Sequence, residues 1–275
     1  MLLYGDRAEG EYNSQKGCYR LVENTEPWYS LYPATYTEKG YNMIFVTSDL
    51  HGCPLEEFQQ LLDRADFSED DFLFILGDVI DRGAYGAELL LWLTEQPNMQ
   101  LLLGNHEAFL LTCDFLFEEI TEKSLAQLSK EQIDLLEIWI QNGGSPTLTG
   151  LKKILRQDPE LINGILDYLR DAPLYERIHV NQHEFILVHA GLDHFRPDRS
   201  LSDYAPDELL CARPTLETIY FEDATVIFGH TPTQYYGKEY QGKAVKTPSW
   251  ICIDTGSGTG NHPMLLRLND MMEFN

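Results

Sequence analysis

The sequence predicts an α/β fold, in which a β-sheet carries helices on its faces. Apolar, β-rich runs at residues 43–47, 72–76 and 99–103 are each followed by a short polar motif and then by a helical pattern. Because the same order occurs three times, the motifs are expected to meet at the carboxyl ends of the strands. Open α/β sheets hold their ligand crevices there. We therefore look for a functional site along this edge.

Composition favours a globular protein and disfavours several classes of partner. The 275 residues suffice for one large domain, and 43% are hydrophobic. Twenty Lys and Arg oppose 44 Asp and Glu, giving a formal net charge of -24. Such a charge repels nucleic acids and anionic membranes, so we expect neither as a partner. Without a long apolar run or a signal-peptide pattern, the sequence predicts a cytoplasmic protein.

The five cysteines show no C-x-x-C spacing and are odd in number, a pattern typical of reduced cytosolic thiols. They are Cys18, Cys53, Cys113, Cys211 and Cys252. A structural zinc site built from thiolates is therefore not expected.

The chain is predicted to consist of an N-terminal extension, residues 1–41, and one domain, residues 42–275. Residues 1–40 are polar, rich in turn formers and unusually aromatic, with poor periodicity. Two or three short strands or a surface strap would fit this pattern, and we interpret the segment as an extension packed on the domain. A lid or a dimer contact is the alternative.

Three helices are predicted directly after the three strands. Pro54 suits a first helical position, and apolar residues recur at helical spacing through residue 65. Residues 84–95 form the second helical pattern, and the third begins at Ala108.

Residues 108–171 contain no convincing strand and are predicted to form a helical insertion. Amphipathic segments lie at 108–120, 130–141 and 159–170, and residues 142–147 (Asn-Gly-Gly-Ser-Pro-Thr) indicate a turn between helices.

Strand patterns return in the last hundred residues of the chain. Residues 175–180 and 185–188 predict a hairpin through Asn181 and Gln182. Later strand patterns occur at 225–228, 250–256 and 264–268.

Five predicted strands end in short polar motifs that could bind metal. They are Asp49-x-His51, Gly77-Asp78, Gly104-Asn105-His106-Glu107, His189-Ala190-Gly191 and Gly229-His230. A single histidine at a strand end is more often a structural residue, but five motifs in consistent positions indicate a site. Imidazole, carboxylate and amide oxygen suit manganese, iron, zinc or nickel. Because these ligands exceed the needs of one tetrahedral ion, two ions are expected.

These motifs resemble the calcineurin-like metallophosphoesterases, specifically the phosphoprotein phosphatase branch. That branch carries G-D-x-H-G, G-D-x-x-D-R-G, G-N-H-E, H-[AG]-G and G-H in this order, and here Ser48 replaces the first glycine. The similarity covers residue 42 to the C-terminus. It implies a four-layer fold with a central β-sandwich of mixed sheets flanked by helices.

The resemblance also implies a ligand set for two divalent ions, with Mn2+ expected and Fe, Zn or Ni as alternatives. Asp49 and His51 would hold the first ion, and Asp78 would bridge both. The second ion would be completed by Asn105, His189 and His230. Two such ions can share a water, lower its pKa toward about 7 and so present hydroxide for in-line attack on phosphorus.

Other motif residues are implied to act on the substrate. His106 would protonate the leaving group, with Asp81 as its orienting partner. Arg82 would bind phosphate oxygens, and Asn105 would also contact substrate. Glu107 is expected to be a supporting hydrogen-bond acceptor.

A second phosphate-binding arginine is implied between H-[AG]-G and G-H. Arg213 is our assignment, although its surroundings depart from the protein phosphatase form of this segment. Arg196 and Arg199 are the competitors, and a surface salt bridge is the alternative for any of them.

We therefore interpret the chain as a dinuclear-metal phosphoester hydrolase resembling Ser/Thr protein phosphatases, acting on a phosphorylated protein or a small phosphoester. His-Ala-Gly at 189–191, the segment from Trp139 to Thr147, and Ile-Asp-Thr-Gly at 253–256 look like bacterial members of the branch. Those include diadenosine tetraphosphate hydrolases, so a symmetrical hydrolase of this kind is the first alternative. A non-catalytic, protein-binding member of the fold is the second.

Overall fold

The computed structural model describes residues 40–118 and 129–275 in full, and the backbone of residues 10–13 and 18–21. Strands β1 (Gly10–Asn13) and β2 (Cys18–Leu21) pair antiparallel. Most of the predicted extension, residues 1–41, lies outside the described residues. Its packing on the domain therefore stays a prediction.

The first five-stranded sheet contains the three strands predicted near the start of the domain. They are β3 (Ile44–Thr47), β4 (Phe72–Ile75) and β5 (Met99–Leu101), and all three run parallel. Near the C-terminus, β11 (Leu265–Arg267) pairs antiparallel with β3 and with β12 (Met272–Phe274). The order is β12-β11-β3-β4-β5.

The second sheet is formed by the later strands, in the order β6-β7-β8-β10-β9. The predicted hairpin is β6 (Tyr175–Val180) with β7 (His183–Val188). β7 pairs in parallel with β8 (Ala224–Phe228), and β8 pairs in parallel with β10 (Trp250–Cys252). The edge strand β9 (Val245–Lys246) is antiparallel to β10 and was not anticipated from the sequence.

The two sheets pack face to face around one apolar layer. Ile44 and Phe74 of the first sheet belong to the same buried cluster as Phe185, Leu187 and Ile227 of the second. The opposite faces carry the helices, which share a larger buried cluster with the sheets. Two mixed sheets flanked by helices form a four-layer arrangement, so the predicted fold class is confirmed.

The described residues contain seven α-helices. They are α1 (Leu55–Arg64), α2 (Gly86–Leu93), α3 (Asn105–Thr112), α4 (Lys130–Trp139), α5 (Ser145–Gln157), α6 (Pro159–Arg170) and α7 (Pro206–Leu210). Pro54 precedes α1 instead of opening it. Within the described residues, the region from α3 to α6 contains no strand, as the sequence indicated.

Helix α5 was not predicted from the sequence because its first residues have the composition of a turn. Gly143 does break the chain direction, with φ 101°, but α5 starts only two residues later. Pro146 lies in the first turn of α5, where its missing N–H costs no helical hydrogen bond. Asn-Gly-Gly-Ser-Pro is therefore a kink between two helices.

The cysteine prediction is wrong for Cys211, which is disulfide-bonded, whereas Cys53, Cys113 and Cys252 are free and buried. A disulfide requires Cα atoms within about 7 Å, a distance that spacing along the chain does not reveal. None of the described helices is long and apolar enough to span a bilayer.

Candidate metal and phosphate site

Asp78 lies at the centre of the polar cluster, on the turn after β4. Its Oδ1 is 3.4 Å from Nε2 of His189, and its Oδ2 is 3.6 Å from Nε2 of His51 and 3.8 Å from Nε2 of His106. All four residues are nearly inaccessible to solvent. One buried carboxylate therefore joins two groups of imidazoles, one on each of its oxygens.

The group beside Oδ1 contains ligand atoms from both sheets. His189 Nδ1 donates to the carbonyl of Leu76 at 2.7 Å, which leaves the lone pair of Nε2 facing the cluster. That Nε2 is 2.9 Å from Oδ1 of Asn105 and 3.2 Å from Nδ1 of His230. Lone pairs that converge in this way need a cation or a shared proton between them.

The group beside Oδ2 is arranged on the same principle. His51 Nδ1 donates to the carbonyl of Ile80 at 3.0 Å, so the Nε2 lone pair faces Asp78 and Asp49. Oδ1 of Asp49 lies 3.9 Å from this Nε2. The Asp49 carboxylate also accepts the backbone N–H of His230 at 2.9 and 3.1 Å, which ties the ends of the two sheets together.

The backbone bends sharply where these side chains leave the strands. Asp49, His51, Asp78, Asp81, Arg82 and His230 all have positive φ, between 44° and 70°. Non-glycine residues rarely adopt this region, and such strain concentrates at functional sites. Buried Glu107 stabilises one bend by accepting the N–H groups of Asp78 at 2.7 Å and Val79 at 2.9 Å.

The helical insertion reaches this site through Trp139 at the end of α4. Oδ2 of Asp81 is 2.7 Å from Nδ1 of His106 and accepts the indole N–H of Trp139 at 2.8 Å. Thr147 Oγ1 accepts the backbone N–H of Asp81 at 2.9 Å, and the carbonyl of Gly143 accepts that of Arg82 at 2.9 Å. The segment 139–147 thus orients the Asp81–His106 pair.

Trp139 belongs to the segment that resembles bacterial members of the branch, but no contact with Asp81 was predicted for it. The available signal was an indole, a hydrogen-bond donor that is usually partnered when buried, just before a glycine-rich kink.

Burial and charge divide the four histidines into two kinds. Burial lowers the pKa of His51 to about 3 and also lowers the pKa of His189 and His230, which favours neutral imidazoles with free lone pairs. Burial acts in the same direction on His106, but Asp78 and Asp81 outweigh it and raise its pKa. His106 is therefore suited to hold a proton while the other three are suited to bind metal.

Buried carboxylates are crowded beside these imidazoles. Burial, Asp254 and Asp78, in that order, raise the pKa of Asp49, and burial raises the pKa of Asp254 to about 7. Cations would relieve this repulsion. Together with the converging lone pairs, the donor set fits two divalent ions that share Asp78. Asp254 lies in the Ile-Asp-Thr-Gly segment and was not predicted as a site residue.

Arg213 lies beside the second group of ligands. Its Nη1 donates to Oγ1 of Thr231, the residue after His230, at 3.3 Å. Arg199 instead forms a bidentate ion pair with Glu208, at 2.8 and 2.5 Å. Arg196 is mostly exposed, 3.9 Å from Asp198. Of the three candidates, the structure brings Arg213 to the site. Arg82 is exposed on the other side, with Nη2 3.3 Å from Nε2 of His106.

Comparisons with known proteins show the family of this chain. The calcineurin-like phosphoesterase family matches residues 43–234. Symmetrical bis(5′-nucleosyl)-tetraphosphatase from Haemophilus ducreyi is 27% identical over 205 residues, covering 70% of this chain and 59% of that protein. The corresponding protein from Actinobacillus pleuropneumoniae is 26% identical, covering 84% of this chain and 97% of that protein.

Solved structures share the fold at lower identity. One, assigned provisionally as a diadenosine tetraphosphatase, has a TM-score of 0.57 at 18% identity and covers 89% of this chain and 95% of that chain. A cold-active protein tyrosine phosphatase mutant has a TM-score of 0.51 at 15% identity, covering 94% of this chain and 89% of that chain.

Proposed function

This chain belongs to the calcineurin-like phosphoesterase family, and we propose that it cleaves dinucleoside tetraphosphates symmetrically, into two nucleoside diphosphates. The reaction class rests on one observation: two groups of buried ligand atoms share Asp78 beside the Asp81–His106 pair. The substrate class rests on the relatives, which are symmetrical bis(5′-nucleosyl)-tetraphosphatases. They favour this activity over the Ser/Thr protein phosphatase interpretation that the sequence first suggested.

Two divalent ions would be held by the residues that converge on Asp78. Asp49, His51 and Asp78 would bind the first, and Asp78, Asn105, His189 and His230 the second. When bound, the ions supply Lewis-acid polarisation of phosphoryl oxygens and a water acidic enough to deprotonate near neutral pH. We propose manganese, which the family resemblance favours, with iron, zinc or nickel as alternatives that the same imidazole, carboxylate and amide donors would suit. We also propose a cytoplasmic location, on the basis of the sequence alone.

His106 would supply the proton that the leaving phosphate oxygen needs. Asp81 accepts its Nδ1–H at 2.7 Å, which turns Nε2 toward Asp78 and Arg82. A proton on Nε2 is favoured because the neighbouring carboxylates raise the pKa of this imidazole. Donation from Nε2 to the leaving oxygen completes the cleavage, as in other general-acid mechanisms.

Two exposed arginines would orient the phosphate chain across the site. Arg82 lies on the side of His51 and His106, and Arg213 lies on the side of His230. A guanidinium can bind two phosphate oxygens at once, so one on each side fixes the central phosphates between the ligand groups.

The decisive experiment compares products and substrates for the manganese-loaded protein. Diadenosine tetraphosphate should yield ADP alone by chromatography, at a kcat/KM well above that for phosphopeptides. Products of ATP and AMP, or a preference for phosphopeptides, would refute the proposal.

Two variants test whether this cluster performs the chemistry. His106→Ala and Asp78→Asn should each lose at least about 100-fold in kcat. The exposed His183 on β7 lies outside the site, and His183→Ala is the matched control. Activity that survives both site substitutions would show that the chemistry is not performed by this cluster.

A further inference from the structure

A surface cleft opens on the Arg82 side of the metal and phosphate site. It has a volume of about 420 Å³, within the range of about 300–1,000 Å³ typical of small-molecule sites. Four segments line it: the turn after β3, Glu57 of α1, residues 82–85 before α2, and the loop 257–262 after β10. His51 and Arg82 belong to this lining, so the cleft is continuous with the reaction site.

Tyr85 gives the cleft an aromatic wall. Its side chain is 44% exposed, although its backbone N–H is fixed to the carbonyl of Gly52 at 3.1 Å. An accessible aromatic ring is suited to stacking against a planar base. This ring and Arg82, the proposed phosphate-binding arginine, line the same cleft.

The outer wall offers hydrogen-bonding groups of both kinds. Asn261 contributes a carboxamide, which can pair with the adjacent donor and acceptor of an adenine edge. Glu57 and His262 form a second polar element, with Oε1 and Nδ1 2.5 Å apart. The carboxylate can also accept from an exocyclic amino group. An aromatic ring and such polar groups in one cleft lining supply the chemistry that recognises a nucleobase.

The position of Arg82 decides which half of a dinucleotide would enter. Its guanidinium lies between the cleft and His106, 3.3 Å from Nε2. A phosphate chain that leaves the cleft along Arg82 therefore reaches the group assigned to protonate the leaving oxygen. The nucleotide in the cleft is then the one that departs when the bond breaks.

We propose that this cleft binds the nucleoside of the leaving nucleoside diphosphate, with the base stacked on Tyr85. The proposal rests on the dinucleotide hydrolase function above. Because the protein has a net charge of -24, long-range attraction cannot concentrate a polyphosphate, and base stacking supplies binding that does not depend on charge.

The test compares Tyr85→Ala with Tyr85→Phe, which keeps the ring and serves as the matched control. The ratio of kcat/KM for diadenosine tetraphosphate to kcat/KM for p-nitrophenyl phosphate should fall about tenfold in Tyr85→Ala, the loss expected for one stacked base. Tyr85→Phe should keep the ratio within about twofold. An unchanged ratio in folded Tyr85→Ala, checked by thermal melting, would overturn the proposal.

A second measurement separates this proposal from the proposed function. ADP is tested as an inhibitor of p-nitrophenyl phosphate hydrolysis, beside inorganic phosphate. ADP should bind at least about tenfold more tightly than phosphate, and Tyr85→Ala should abolish most of that difference. If ADP binds no better than phosphate, the cleft is not a nucleoside site, even for an enzyme that cleaves the dinucleotide. If ADP shows Tyr85-dependent binding but the dinucleotide is not cleaved, the cleft assignment stands and the proposed function fails.

Discussion

Replacing Trp139 with phenylalanine tests whether the helical insertion controls the acid that protonates the leaving group. The indole N–H donates to Oδ2 of Asp81 at 2.8 Å, and both residues are fully buried. The same oxygen orients His106 at 2.7 Å. Among the described residues, the other oxygen of Asp81 has no hydrogen-bond partner. Trp139→Phe therefore leaves a buried carboxylate with His106 as the single side-chain donor.

The magnitude follows from the charge on the acceptor. A hydrogen bond to a charged group contributes about 1.5–3 kcal/mol, so the free energy of unfolding should fall by roughly this amount. If Asp81 shifts and His106 is misaligned in the transition state, the same free energy corresponds to a loss of about 10- to 150-fold in kcat. KM should change little, because Trp139 contacts Asp81 and not the phosphate site.

Leaving-group dependence distinguishes a role in positioning from general destabilisation. Phenyl phosphate needs a proton on its departing oxygen more than p-nitrophenyl phosphate does, so Trp139→Phe should slow the phenyl ester more. Trp92→Phe is the matched control, since Trp92 of α2 packs edge-to-face on Phe58 of α1 in the cluster that the helices share with the sheets. Equal losses on both esters, or a loss no larger than in Trp92→Phe, would refute the reasoning.

Three further perturbations probe the same site. Neighbouring carboxylates raise the pKa of His106, so the rate of hydrolysis of an ester with a poor leaving group should fall as pH rises through that pKa. In a pH–rate profile, Asp81→Asn should move this fall to lower pH, because it removes one of those carboxylates. Asp78→Asn should leave fewer than two metal ions per chain after dialysis, because the Asp78 carboxylate belongs to both groups of candidate ligands. Elemental analysis measures the metal content, and retention of both ions would contradict this shared role. A Cβ at Gly258 would lie 2.5 Å from Cδ2 of His51 and 2.6 Å from Nη1 of Arg82, so Gly258→Ala should displace both side chains, lower kcat and raise KM for phosphoesters about tenfold. Unchanged kinetics would show that residue 258 does not help to position either side chain.

The elements around the first three motifs could be predicted because their determinants are local. An apolar run, a glycine-containing turn and a helical pattern occupy consecutive residues, as in β4, Gly77–Asp78 and α2. The hairpin through Asn181 and Gln182 was equally local, and both residues have the positive φ that such turns require.

The errors arose where the outcome depends on distant parts of the chain. Helix α5 looked like a turn because its first residues are helix breakers outside a helical context. The disulfide at Cys211 and the edge strand β9 depend on neighbours that spacing does not reveal.

The sequence by itself determined which residue types form the candidate site, because metal ligands and a proton donor require particular side chains beside tight turns. Only the tertiary structure decided how they meet. Asp49 and His230 are 181 residues apart and are joined by a hydrogen bond between the two sheets. The contact of Trp139 with Asp81 and the cleft beside Tyr85 likewise join separate segments. Such contacts depend on the packing of whole layers, and the order of residues along the chain holds no direct record of that packing.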